Sequence, residues 1–272
     1  MGGKSDADLD GVRCWWRTSI TDVQPGELRL RGYPIEELIA STSYAGAVWL
    51  LITGERPTRT QLRLLDAAMV AGVDHGPQAP SIAAARMSVT CGNPLNSAVS
   101  VGVAMLGDTH GGAGQQCMEL LERLVESGGG EDTVAEAVAS LRVDGGYVPG
   151  FGHRFHPQDP RRAPLLALLH EAADIGEIEG LYLDCGERLE RALATSTGKA
   201  VPINVDGLIA LVYCELGLPA PLARGLFCLS RAAGVLAHAW EEMQGGRRIK
   251  GPLPPQILPV YDGPMPRHVP TT

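Results

Sequence analysis

The stretch NVDGLIALVYCELG, residues 204–217, is apolar on nearly every side. A helix without a polar face is buried all round, so its neighbours must enclose it. The rest of the chain reads in the same helical period. In RTQLRLLDAAMVAGV, Leu62, Leu65, Met69 and Val73 recur at helical spacing. PIEELIAS opens with proline, suited to a first helical position. SYAGAVWLLITG stops at Gly54, with Pro57 beyond it. Residues 81–107 read as two helices broken by Gly-Asn-Pro at 92–94, and 164–174 and 179–195 as two more. Leu222, Leu226, Leu229, Ala233, Leu236 and Trp240 step by four and three along a long helix, which places its apolar stripe on those residues.

Only residues 17–32 have strand character, as a hairpin around Pro25-Gly26. The class is therefore mostly α. The 272 residues suffice for one large domain or two modest ones. No internal repeat is present, and the tail from Gly251 is expected to be extended.

Several function classes are excluded by composition. The net charge of −8 argues against nucleic acid, which wants a basic footprint. No apolar run approaches the length needed to cross a bilayer. The start, MGGKSDADLD, is polar and acidic, unlike a signal or transit peptide, and reads as a disordered tail. The six cysteines, at 14, 91, 117, 185, 214 and 228, form no C-x-x-C pair. That usage points to a reducing cytoplasm, with no disulfide framework and no structural zinc.

Polar groups gather beside special backbone in four places. VPGFGHRFHPQDPRR (148–162) crowds His153, Arg154, His156, Arg161 and Arg162 around a Gly-x-Gly turn. DHGP (74–77) sets His75 at a turn, and GDTHGGAG (107–114) sets His110 before paired glycines and a helix start. PINVDG (202–207) puts Asp206 at the mouth of the all-apolar helix, where it serves either as a plain N-cap or as a chemical group. Arg224, Arg231 and His238 follow at seven-residue intervals on the long helix. A solvated face accounts for Arg224. Arg231, among Phe227, Cys228, Ala232 and Gly234, needs a partner because an unpaired buried charge is costly.

Histidines, one carboxylate at an apolar helix and arginines make an acid/base set with anion clamps. No serine or cysteine nucleophile motif or metal-ligand spacing accompanies them. Such a set suits proton abstraction next to a carbonyl, with histidines donating to a developing oxyanion.

The segments RGYPIEELIASTSYAGAVWLLITGERPT, HGGAG, VPGFGHRFHPQDPR, NVDG and LFCLSRAAGVLAHAWE follow one another in this order over about residues 17–262. That order resembles the citrate synthase superfamily. DHGP, the GD-x-x-GGA pattern and NVDG are most similar to the citryl-CoA lyases and the citryl-CoA lyase module of ATP-citrate lyase. The resemblance implies an all-α fold with a large and a small helical domain and a short N-terminal hairpin. The expected division is 1–112 and 206–272 for the large domain and 113–205 for the small one, with the site in the cleft near a dimer interface.

By the same resemblance, Asp206 exchanges a proton with the acetyl methyl group. His110 hydrogen-bonds the thioester oxygen, and His153 handles the keto or hydroxyl oxygen of the partner acid. His75, Arg161 and Arg231 bind that acid. Val148, Pro149, Gly150, Phe151 and Gly152 lie along coenzyme A, with Arg154 and Lys199 towards its phosphates.

The implied substrates are coenzyme A thioesters (acetyl-CoA or citryl-CoA) and oxaloacetate or a similar acid, with no metal. Citrate synthases carry an Arg-Pro near the C-terminus. Here Gly251 precedes the proline, which leaves that clamp absent or delegated to Arg248 or Lys250. Three readings follow: cleavage of citryl-CoA; condensation to citrate, 2-methylcitrate or a related acid; or a non-catalytic subunit that kept the fold.

Overall fold

The computed structural model describes residues 6–143, 146–152, 159–250, 254 and 256–268. It is mostly helical, with one small sheet among the described residues. The contacts divide the chain into two compact units. The first comprises residues 1–74 and 107–231, and the second 75–106 and 232–272. The expected scheme of 1–112, 113–205 and 206–272 is a different partition.

In the first unit, α1 (Asp6–Trp15) forms where a disordered start was expected. Arg13 pairs with Asp10 one turn earlier at 3.0 Å, which gives this exposed helix local support. Strands β1 (Thr21–Gln24) and β2 (Glu27–Leu30) pair antiparallel, with Gln24 opposite Glu27, so Pro25-Gly26 is the two-residue turn. A further strand, β3 (Tyr33–Pro34), pairs with β2.

Helix α2 (Ile35–Ser41) begins one residue after the proline expected to open it. In α3 (Tyr44–Thr53) the Ser43 hydroxyl caps the start, and Gly54 at φ +92° ends it. A capping box of Thr58 and Gln61 opens α4 (Arg59–Gly72).

Within the second unit, α5 (Pro80–Thr90) and α6 (Leu95–Ala104) pack together around Ile82, Ala85 and Ala98, joined by Val235 and Ala239. A Cβ on Gly102 would fall 2.5 Å from Val235, so glycine is what permits this approach.

Helices α7 (Ala113–Glu126), α9 (Arg162–Asp174) and α10 (Leu181–Thr197) complete the surroundings of α11 (Val205–Glu215), and α8 (Glu131–Arg142) packs on α7 and α10. Contacts from α4, α7, α9 and α10 enclose α11, as its apolar sequence requires. Every residue from Ile203 to Cys214 is buried except Asp206. Full burial of a side chain such as Leu208 or Leu211 contributes about 1.5–3 kcal/mol.

The last helix, α12 (Ala220–Gln244), gives residues 220–231 to the first unit and 232–244 to the second. Its buried face is Ala223, Leu226, Ser230, Arg231, Val235, Ala239 and Glu242. This corrects the expected stripe, because Leu229, Leu236 and Trp240 are 43%, 44% and 50% exposed. The close approaches of Gly72 and Gly102 seat Ser230 and Val235 inward, and Leu229, Leu236 and Trp240 fall on the other side of the helix.

Candidate active site

The site is built where the loop before residue 153 crosses the start of α11. Asn204 caps α11, its Oδ1 accepting from the backbone N–H of Asp206 at 3.0 Å and of Gly207 at 3.2 Å. Asp206 therefore sits inside the first turn and is not the cap. Asp206 is half-buried, while every other residue from Val205 to Cys214 is buried.

The same Asn204 donates through Nδ2 to the Gly152 carbonyl at 2.8 Å, and its N–H donates to the Gly150 carbonyl at 2.9 Å. Gly152 N–H in turn donates to the Pro202 carbonyl at 2.8 Å. The loop is laced to residues 202–204. A Cβ on Gly150, at φ +83°, would lie 2.7 Å from Gly207 Cα and 2.8 Å from Cys117 Sγ. Gly150 answers to packing against α11, and Gly152 spends its N–H and C=O on residues 202–204. Val148 and Phe151 are buried in the core, Pro149 is half-buried, and Phe151 bridges to Ile203.

His110 is half-buried just before α7, behind Gly111 at φ +95°. The N-terminus of α7 faces Asp206 across a narrow crevice lined by Gly111, Gly114, Ile209 and Phe227. The unpaired N–H groups and dipole of a helix N-terminus favour negative charge at such a point.

Two arginines adjoin it, with different degrees of commitment. Arg161 is locked in place: Nε and NH2 hold the Asp159 carboxylate at 2.9 and 2.8 Å, and NH1 donates to the Ala71 carbonyl at 3.0 Å. Asp159 is a buried counter-charge, 1% exposed in its side chain. Arg231 is 4% exposed, donates Nε to the Gly72 carbonyl at 3.0 Å and lies 4.7 Å above the Phe227 ring. Burial pulls its guanidinium below the usual range, Asp206 and Asp74 pull it back up, and Arg161 adds to the lowering. Arg231 is thus the cation that answers the acids of this site, as its apolar surroundings in the sequence demanded.

Nearby thiols are poor nucleophiles. Burial, then the Asp206 charge, drives the Cys117 thiol far up, and burial does the same to Cys214. Tyr147, which the sequence gave no reason to single out, has its phenol raised by partial burial and by Asp206.

The other expected residues fall as follows. His153, Arg154 and His156 lie outside the described residues. His75 is exposed at a turn of the second unit, beside Gly76 at φ +79°. Lys199 is exposed after the C-cap of α10. Arg162 pairs with Glu190 at 2.8 Å, and Arg224 with Asp108 at 2.6 Å, so neither is merely solvated. Two site residues were missed in the sequence. Asn204 carried a usable signal, since asparagine two positions before a helical acid is a cap pattern. Asp74 carried none beyond its place beside His75.

Residues 9–64 and 61–252 match the family described as citrate synthase, C-terminal domain. Among curated relatives, citrate synthase of Haloferax volcanii is 31% identical over 223 residues, 81% of this chain and 57% of that protein. The chain thus spans a little over half of that relative. Citryl-CoA lyase of Hydrogenobacter thermophilus superposes with a TM-score of 0.84 at 33% identity, covering 94% of this chain and 97% of the other. ATP citrate lyase of Methanothrix soehngenii, solved with citrate and coenzyme A, shares the fold with a TM-score of 0.76 at 20% identity over 96% of this chain and 45% of its own. On the family match, the chain belongs to the citrate synthase family.

Proposed function

We propose that this protein cleaves citryl-CoA, or a close 3-hydroxyacyl-CoA, to acetyl-CoA and oxaloacetate or the corresponding acid. The observation that carries this reading is Asp206: released from capping by Asn204, set against the N-terminus of α7 behind His110, and balanced by Arg231. The near-complete mutual coverage with a citryl-CoA lyase supports the cleavage direction.

In that direction a base, assigned to His153, takes the hydroxyl proton. The carbon-carbon bond breaks, the keto acid leaves, and the acetyl thioester is left as its enolate. His110 donates a hydrogen bond to the thioester oxygen, and protonated Asp206 delivers its proton to the enolate carbon. Arg231 neutralises a carboxylate of the departing acid. Arg161, which spends three of its five side-chain N–H donors on Asp159 and Ala71, is assigned to a carboxylate of the same acid through the remaining two. His75 is assigned to the acid. Val148 to Gly152, Arg154 and Lys199 are assigned to coenzyme A.

The large domain is proposed to comprise 1–112 and 206–272 around a small domain of 113–205. A homodimer is proposed as well. Leu236, Trp240 and Met243 stand exposed at i, i+4 and i+7 on α12, an apolar stripe left uncovered by the described residues. Among the described residues no helix is long and apolar enough to cross a membrane.

The curated relative favours a second reading, condensation of acetyl-CoA with a 2-keto acid by the same residues run in reverse. Product analysis separates the two. Citryl-CoA should release oxaloacetate at a catalytic rate. Absence of release beside rapid formation of citrate from acetyl-CoA and oxaloacetate overturns the lyase assignment.

A further inference from the structure

Residues 107–112, which set His110 before α7, form neither helix nor strand. A group carried on such a segment is placed only as well as its anchors hold it. Two anchors act on the backbone. Gln116, in the first turn of α7, donates from Nε2 to the Asp108 carbonyl at 3.2 Å. A Cβ on Gly112 would fall 2.5 Å from that carbonyl oxygen and 2.8 Å from Asp108 Cα, so the segment closes tightly on itself.

The third anchor comes from α12. Arg224 donates from NH2 to Asp108 Oδ1 at 2.6 Å, across 116 positions of sequence. Nε of the same guanidinium is buried without a partner, and among the described residues its hydrogen bonds go to Asp108 alone. The arginine side chain is 30% exposed and the aspartate 79%, so the better enclosed partner is on the helix and the pair places the segment. An ion pair this open adds little to stability, and a buried N–H left without a bond costs some. What the pair supplies is position.

Two turns after Arg224, Arg231 answers Asp206, and Phe227 between the two arginines lines the crevice that Asp206 borders. One stretch of α12 thus holds both the cation of the site and the segment that carries His110. We propose that Arg224 is a positioning residue for His110: through the Asp108 carboxylate it sets where His110 stands relative to Asp206. The proposal rests on the assignment of His110 as donor to the thioester oxygen.

Exchange of the acetyl-CoA methyl hydrogens into heavy water, with oxaloacetate present, reads the enolate step whichever way the reaction runs. Arg224→Met removes the charge and keeps an apolar stem. It should lower the maximal exchange rate about tenfold or more, since a displacement of about 1 Å can cost about a hundredfold. Half-saturation by acetyl-CoA should stay within about twofold, and the melting temperature within about 4 °C. Asp108→Asn, at the exposed end of the pair, should show the same split and carries the test if Arg224→Met folds poorly. In His110→Ala the positioned group is gone, so adding Arg224→Met should cost less than about twofold more. A smaller loss of rate, a loss that appears in half-saturation instead, or a tenfold loss repeated in the His110→Ala background overturns the proposal. No exchange by the wild type, or exchange by His110→Ala at the wild-type rate, overturns the His110 assignment beneath it.

Discussion

Gly150 and Gly26 have the same backbone angle, φ +83°, in different surroundings. A Cβ on Gly26 would meet nothing within 4 Å, whereas one on Gly150 would meet Gly207 Cα at 2.7 Å and Cys117 Sγ at 2.8 Å. Alanine in the left-handed region costs about 1–2 kcal/mol, a term the two positions share along with the unfolded-chain term. Overpacking adds about 1–3 kcal/mol at Gly150 alone. Gly150→Ala should therefore melt below Gly26→Ala by about 2–12 °C, taking about 2–4 °C per kcal/mol for a chain of this size.

The strain is also directional. Relief pushes Gly207 and the first turn of α11, which carries Asp206, away from the loop. Since a misplacement of about 1 Å can cost about a hundredfold, kcat should fall by about 10–100-fold in Gly150→Ala and stay unchanged in Gly26→Ala. Thermal melts followed by circular dichroism, with turnover of the same samples, measure both effects. Equal melting temperatures for the two variants would refute the packing argument.

Further outcomes follow from the charges and the apolar stripe. Arg231→Lys keeps the charge and loses the Nε bond to Gly72 and the stack on Phe227; kcat/KM should drop by about 10–100-fold, the equivalent of a charge-assisted bond, and an unchanged value contradicts its role. Glu242, buried in the second unit, is held below its ordinary value of 4.5, first by a hydrogen bond from Arg247, with Arg86 adding to it. A depressed carboxylate stabilises the folded state above its unfolded value, and that contribution disappears as the pH falls through the folded value. The stability advantage of wild type over Glu242→Gln in urea should thus shrink below about pH 4.5; an advantage that persists undiminished in acid rejects this. Trp240→Asp should convert the proposed dimer to a monomer by light scattering, and an unaltered mass places the interface elsewhere.

What could be read in the sequence divides by range. Burial of α11 was legible because a helix apolar all round has one physical meaning. Arg231 declared its need for a partner through its small apolar neighbours, yet the partner, the Gly72 carbonyl, lies 159 positions away. The burial of Asp159 was hidden for a similar reason, since Arg161 is anchored on Ala71, 90 positions distant. The α12 stripe misled because hydrophobicity ranks leucine and tryptophan inward, while the close approaches of Gly72 and Gly102 seat Ser230 and Val235 there. The glycines of the 148–152 loop were visible as special backbone, but the sequence alone could not tell approach to a ligand from approach to Gly207.

Asp206 is proposed as the group that moves the proton at the acetyl carbon. Exchange of the acetyl-CoA methyl hydrogens into heavy water, with oxaloacetate or an unreactive analogue present, measures that step without the carbon-carbon bond. The wild type should incorporate deuterium, and Asp206→Asn, which keeps the shape and the Asn204 cap, should lose the exchange by about 100–10,000-fold at an unchanged melting temperature. Exchange in Asp206→Asn at the wild-type rate would contradict the assignment.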